Sequence, residues 1–225
     1  MILPLNKQAG VCLHLTSVPG PYGIGELGAA AREFIDAMVA MNLAVWQFLP
    51  TGPTALGDSP YQPLSTFAGN ELLIDIDSLV QLGLLETHET GPLLHLPHAR
   101  VNYGALIPLK NALLAKAAAR FPTQASDSMS SAFESFVQSH NQRWLHDYAL
   151  YRVLKTRHDE RPWPEWSPEY VCRDAAALGE LEESAHEAIT RIKVLQFLFA
   201  YQWNALHTYA NEHGVQLFGD MPIYI

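Results

Sequence analysis

Cysteine is scarce in this sequence, with only Cys12 and Cys172. They stand far apart and fit no metal-ligand spacing, so they read as two free thiols in a reducing compartment rather than one bridge. Positive charge is thin too: 14 Lys and Arg face 23 Asp and Glu, a net charge of −9 with no basic run to break it. Such a surface repels a nucleic-acid duplex or an anionic membrane. Long apolar runs are also missing. The opening MILPLNKQAG is broken by Pro4 and is too short for a signal peptide, and nothing approaches the ~20 apolar residues needed to cross a bilayer. These absences predict a soluble, cytoplasmic protein without nucleic-acid or membrane partners.

What is present is material for a core. A hydrophobic fraction of 48% with 16% charged residues excludes disorder as the general state of the chain. VCLHL (11–15) reads as a short apolar strand. The next helix places Ala31, Phe34, Ile35, Met38 and Val39 on one buried face. LAVWQFLP (43–50) reads as a second buried strand, stopped by Pro50. Strand, helix, strand favours a parallel sheet with helices outside it.

A long irregular loop follows, TGPTALGDSPYQPLSTFAGNE, whose embedded Tyr61 and Phe67 argue against disorder. LLIDIDSLVQLGLL reads as a short strand and a helical turn, with one acid of the DID at 75–77 solvated and the other capping. Residues 100–175 change texture to amphipathic helices closed by the Pro/Trp-rich DERPWPEWSPEY, an excursion from the sheet. A last helix over about 184–213 carries Ala188, Ile192, Leu195, Phe199, Trp203, Leu206 and Ala210 on one stripe. Ser184 and Glu187 have capping-box spacing for its start, and Gly214 is placed to end it. VQLFGDMPIYI then returns to strand.

Two motifs suggest chemistry that their surroundings do not support. GIGELG (23–28) matches G-x-G-x-x-G, but Pro19 and Pro21 intervene between strand and glycines, and Leu49, Pro50 and Thr51 stand where a ribose-binding acid belongs. Glycines for a tight irregular turn are the better reading, and no nucleotide cofactor is expected. His95 and His98 flank Pro97 outside any predicted helix, which suits solvated loop histidines rather than a metal pair. No metal or other cofactor is expected.

In parallel α/β architectures ligands bind at the carboxyl ends of the strands. Two features of this chain fall there. One is the loop with Asp58, Ser59, Tyr61, Gln62 and Asn70, stiffened by Pro60 and Pro63; the other is Asp220, just after VQLF. Carboxylates, amides, hydroxyls and an aromatic platform suit a sugar, which shows hydroxyls at its edge and C–H groups on its face. Plainer roles stand beside these: Asp58 setting an Asx-type turn, Tyr61 and Phe67 packing as loop anchors, and Asp220 accepting backbone N–H bonds. Trp46 is expected to point into the barrel rather than toward a ligand.

Taken together, HLTSVPGPYGIGELG, WQFLPTGPTALGDSPYQPLSTFAGNELLI, VNYGALIPLKNALL, WLHDYALYRVLK and FGDMPIYI resemble, in order, stretches of the 4-α-glucanotransferase (amylomaltase, or disproportionating enzyme) family. Departures are small: Leu15 and Glu71 replace the usual Pro, Thr51 replaces Leu and Asn102 replaces Asp. The resemblance implies an α/β fold, a partial (β/α)8 TIM barrel of about the first three strands with a helical insertion. It divides the chain into barrel over 1–75, helical insertion over 76–183, and barrel again over 184–225. It also implies retaining transfer of α-1,4-glucan segments between maltooligosaccharides.

By motif, Asp220 corresponds to the family's strand-three Asp beside the reacting sugar, and Ser59 and Tyr61 to substrate contacts in the S-P-Y loop. The nucleophile, the acid/base and the stabilising acid belong to later strands. The chain is therefore expected to be an N-terminal fragment without catalytic acids, whose unpaired strand-three edge invites self-association. Two other readings remain open, an amylase-type α-glucan hydrolase and a non-catalytic glucan-binding chain.

Overall fold

A computed structural model of the chain describes residues 8–223. The start of the polar lead-in and the last two residues of GDMPIYI lie outside them. The described part is a mostly helical α/β structure in two compact units. The first comprises residues up to 117 and from 198 onward; the second comprises 118–197. No helix among the described residues is long and apolar enough to cross a membrane.

The first unit is built on a three-stranded parallel sheet in the order β1 (Gly10–Cys12), β2 (Val45–Gln47), β3 (Gln216–Phe218). Register is fixed by Val11↔Trp46 and Trp46↔Leu217. Because side chains alternate along a strand, those three share a face, and they pack with Leu13, Phe48 and the helices in one core cluster. The other face carries Cys12, Gln47, Gln216 and Phe218, with Cys12, Gln216 and Phe218 exposed. Helix α1 (Ala29–Ala40) buries Ala31, Ile35 and Met38 as its periodicity predicts. Phe34 packs edge-on to Trp46 at 4.8 Å, whereas Val39 is 44% exposed, beyond the edge of the stripe.

Trp46 is a correction. It is fully buried, against α1 and Phe48, with its indole N–H donating to the Leu13 carbonyl at 2.8 Å. It thus belongs to the helix-covered face of the sheet, not to the open one. The expected strand after the loop is absent as well. Residues Glu71–Leu73 form a 3-10 turn capped by Asn70, and α2 (Ile76–Gln81) is capped by Asp75, so two short polar residues turn the apolar run into helix starts. Asp75 is the capping acid of the DID and Asp77 the exposed one.

Helix α3 (Tyr103–Gln124) begins in the first unit and ends in the second. There follow α4 (Asp127–His140), a π-helical turn (Asn141–Leu145), α5 (His146–Arg157), α6 (Pro168–Val171) and α7 (Ala175–Ser184). The second unit packs Ala149, Leu150, Val153, Leu154, Leu181 and Ile189 around Trp166. It also holds an aromatic trio, Phe121, Phe133 and Phe197, with ring centroids 5.4 to 5.7 Å apart.

Helix α8 (His186–Glu212) returns the chain to the first unit. Its predicted capping box does not form. Ser184 ends α7 with its hydroxyl donating to the Leu181 carbonyl, and Ala185 alone separates the two helices. Leu206 and Ala210 are buried as expected, but Val194, Gln196, Phe197, Leu198 and Gln202 are buried too, so α8 is covered well beyond one stripe. Gly214 ends it at φ +75°. The Val215 and Gly214 amides donate back to Ala210 and Asn211 at 2.9 and 3.1 Å, closing a Schellman motif.

Candidate functional site

The three strands are parallel, so their carboxyl ends lie on one side, and the segments after β1, β2 and β3 all leave from there. The segment after β2 is held as a closed loop. Asn70 N–H donates to the Thr51 carbonyl at 2.8 Å, joining its ends. Further out its arms zip: Leu64 N–H to Pro53 O at 2.8 Å and Ala55 N–H to Gln62 O at 3.1 Å, around a Thr54–Pro63 bridge. Gly57 at φ +72° and Asp58 at φ +54° turn the tip. The left-handed region strains Asp58 modestly, as it does any residue with a Cβ.

This loop delivers Tyr61 to Asp220. The phenol O–H donates to Asp220 Oδ2 at 2.7 Å across 159 residues of sequence. Asp220 Oδ1 accepts the Met221 amide at 2.8 Å, which fixes the carboxylate's rotation. The hydrogen bond to that carboxylate raises the Tyr61 phenol above its ordinary value, so Tyr61 is a neutral donor at physiological pH. Of about four lone-pair positions on a carboxylate, two are used. The remainder could accept from hydroxyl donors. An exposed phenol beside a carboxylate is suited to holding a polyol, by ring face and by hydrogen bonds.

The other sequence-predicted residues divide. Asp58 stands near Tyr103, whose phenol is raised first by burial and also by the Asp58 charge. Ser59 and Gln62 shape the tip, the Ser59 carbonyl accepting from the Gln62 amide at 3.3 Å, with the Gln62 side chain exposed. Asn70 is 6% exposed, and its side-chain oxygen takes the Leu72 amide at 3.0 Å, so it works at the base of the loop. His95 and His98 are exposed, and among the described residues no cluster of three or more His, Cys, Asp and Glu side chains could hold a metal ion. An open groove of about 410 Å³ on α8, lined by Tyr201, Asn204, Thr208 and Glu212, includes none of the predicted residues.

Sequence reasoning missed what lies beneath the loop. Lys110 on α3 is completely buried and paired with Glu26, itself 4% exposed. The Lys110 ammonium also donates to the Leu72 carbonyl at 2.7 Å, and Glu26 Oε2 accepts the Ile76 amide at 3.3 Å. Burial pushes Glu26 up to about 7 against the opposing pull of Lys110, and burial lowers Lys110. Burial thus works against the charge on each group, and the partner's opposite charge works against that penalty. Asp75 lies alongside, its backbone held at both N–H and C=O by the buried Gln202 amide, at 2.7 and 3.2 Å. The GIGELG glycines fit this arrangement. A Cβ on Gly25 would lie 1.9 Å from the Leu15 carbonyl oxygen, and one on Gly28 1.9 Å from Asp75 Oδ1. Their freedom serves close packing of the turn.

The sequence profile of the family described as 4-alpha-glucanotransferase matches residues 13–225. The 4-alpha-glucanotransferase of Thermus thermophilus is 39% identical over 223 residues, covering 99% of this chain and 44% of that protein. The one from Streptococcus pneumoniae serotype 4 is 39% identical over 222 residues, covering 98% of this chain and 43% of that protein. Among solved structures, the amylomaltase from Streptococcus agalactiae in complex with acarbose matches with a TM-score of 0.89 at 34% identity, over 97% of this chain and 44% of that one. The chain spans somewhat under half the length of the curated relatives it matches.

Proposed function

Since this chain belongs to the 4-alpha-glucanotransferase family, we propose that the protein moves α-1,4-glucan segments between maltooligosaccharides, and that Tyr61 and Asp220 grip the reacting glucan. The observation that carries this reading is the 2.7 Å bond from Tyr61 to Asp220, which joins the segments after β2 and β3 at the strand ends. Asp220 accepts from sugar hydroxyls while Tyr61 offers a ring face and phenol lone pairs. Ser59, Asp58 and Gln62 complete the contact from the loop tip, with Asn70 supporting them from its base. The acarbose held by the Streptococcus agalactiae amylomaltase is consistent with an oligosaccharide ligand here.

The finer architecture belongs to the same proposal. The three parallel strands are the first three of a (β/α)8 barrel, with barrel over 1–75 and 184–225 and a helical insertion over 76–183. Chemistry is by retention: a carboxylate attacks the anomeric carbon, a second carboxyl group protonates the departing oxygen, and an acceptor sugar replaces the enzyme. None of the residues described above is assigned either role. We place both acids in the part of the family proteins that this chain does not span.

The test is incubation of maltotriose with the whole protein that contains this chain. Longer and shorter maltooligosaccharides with a constant total of reducing ends are expected. A rise in reducing ends would replace the reading with an amylase-type hydrolase, and binding without any product would replace it with a glucan-binding role.

A further inference from the structure

Lys110 and Glu26 are the most deeply buried charges of the first unit, and neither reaches the Tyr61–Asp220 contact. A buried ion pair supplies little net stability, because desolvating both ions offsets their attraction, and apolar replacements of like volume often do as well. What such a pair supplies is a defined geometry. Its connections are therefore the informative part.

The Lys110 ammonium holds the carbonyl of Leu72, whose N–H is held by Asn70 Oδ1 at 3.0 Å. One peptide segment is thus gripped from both sides. Asn70 is also where the Tyr61 loop closes on Thr51, and the zipped arms above that closure pass any displacement of the base to the tip. From the other side, Glu26 brings in the segment after β1, through its bond with the Ile76 amide and the neighbouring Leu27 N–H donation to the Leu73 carbonyl at 2.8 Å. The pair ties the loop after β1, the loop after β2 and helix α3 at one point.

We infer that Lys110 and Glu26 are positioning residues that set where Tyr61 meets Asp220, acting through Leu72 and Asn70. The inference rests on the reading of Tyr61–Asp220 as the glucan contact, and it adds the device that aligns it. Loss of the Leu72 tie frees the loop base, and the Tyr61 phenol drifts off the Asp220 carboxylate while the sheet and helices stay folded.

The variant that isolates this is Lys110→Met with Glu26→Gln. It removes both charges, keeps an oxygen for the Ile76 amide, and cuts the bond to Leu72. The readout is the titration of Tyr61 in the 225-residue chain by NMR with carbon-13-labelled tyrosine, assigned by Tyr61→Phe. In the parent, the hydrogen bond to Asp220 is expected to hold Tyr61 above the ordinary tyrosine value. In the double variant, with its circular dichroism retained, it is expected to return to the ordinary value. An unchanged, raised Tyr61 titration in the folded double variant overturns the inference, as does an ordinary value in the parent. Should the double variant fail to fold, Lys110→Met alone, which also cuts the bond to the Leu72 carbonyl, replaces it, with the same two outcomes. No glucan enters the measurement, so its failure is separate from failure of the transfer assay.

Discussion

Asp220 and Tyr61 each have one polar function committed to the other, so removing either leaves a different remainder. Tyr61→Phe keeps the ring face and frees Asp220 Oδ2; Asp220→Asn keeps the shape but removes the charge that orients the phenol. In the whole protein both are expected to lower kcat/KM for maltooligosaccharides, by ~10- to 100-fold, the scale of a misplaced contact near reacting atoms. Asp220→Asn should be the more severe, because it replaces one acceptor oxygen with an N–H donor and removes the charge that attracts both phenol and sugar hydroxyls. The two exposed groups contribute little to folding, so the denaturation midpoint should hardly move.

At the same scale Glu26 makes a prediction about pH. Its folded value of about 7 stands above the ordinary 4.5. The protonated acid is therefore favoured by the folded state, and the stability this contributes is complete below about 4.5 and is lost as pH rises through about 7. Lys110 is lowered by burial and acts in the opposite sense, recovering stability as pH rises toward 10.5. Compared with Glu26→Gln, the parent chain should lose urea-denaturation midpoint between pH 4.5 and 7. Parallel curves for the two proteins over that window would contradict the assignment.

Elements were legible where local pattern and tertiary demand agree. The β–α–β opening, the i, i+3, i+4 face of α1 and the glycine stop of α8 all express backbone preferences that packing reinforces. The misses fall where a single polar side chain outweighs the pattern. Asn70 and Asp75 cap helix starts inside an apolar run that reads as strand, and Ser184 bonds back to its own helix rather than opening the next. The Tyr61–Asp220 pair was readable only as two separate strand-end residues, since no local signal joins positions 159 apart. Lys110 in LKNALLAK looks like any solvent-facing helix lysine, because burial of a charge is decided by distant neighbours.

The glycines give the element scale its prediction. Gly25→Ala drives a methyl group into the Leu15 and Val18 carbonyls, 1.9 and 2.8 Å from its Cβ. Backbone cannot yield as a side-chain tip can, so a loss of roughly 2–3 kcal/mol is expected in chemical denaturation. Gly179 is the contrasting case, exposed inside α7 with open space around it. Gly179→Ala should stabilise by about 0.5–1 kcal/mol through helix propensity alone.

At the scale of the whole molecule, the sheet is covered on one face and open on the other. Among the described residues β3 pairs only with β2, so its outer edge presents free ladder groups. Beside that edge Phe218, Met221 and Ile223 are 58%, 79% and 73% exposed. An unpaired strand edge flanked by apolar side chains is a template for another chain, and exposed apolar area adds a non-directional attraction. The net charge of −9 opposes association, but charges further apart than about 8 Å are largely screened at physiological ionic strength. The 225-residue chain in isolation should therefore self-associate, its light-scattering mass rising with concentration and with added salt. Phe218→Lys together with Met221→Lys places like charges along the edge and should restore a constant monomer mass. If the parent chain stays monomeric at high concentration and salt, the edge is not adhesive. If the double variant associates as strongly as the parent, the contact lies on some other surface.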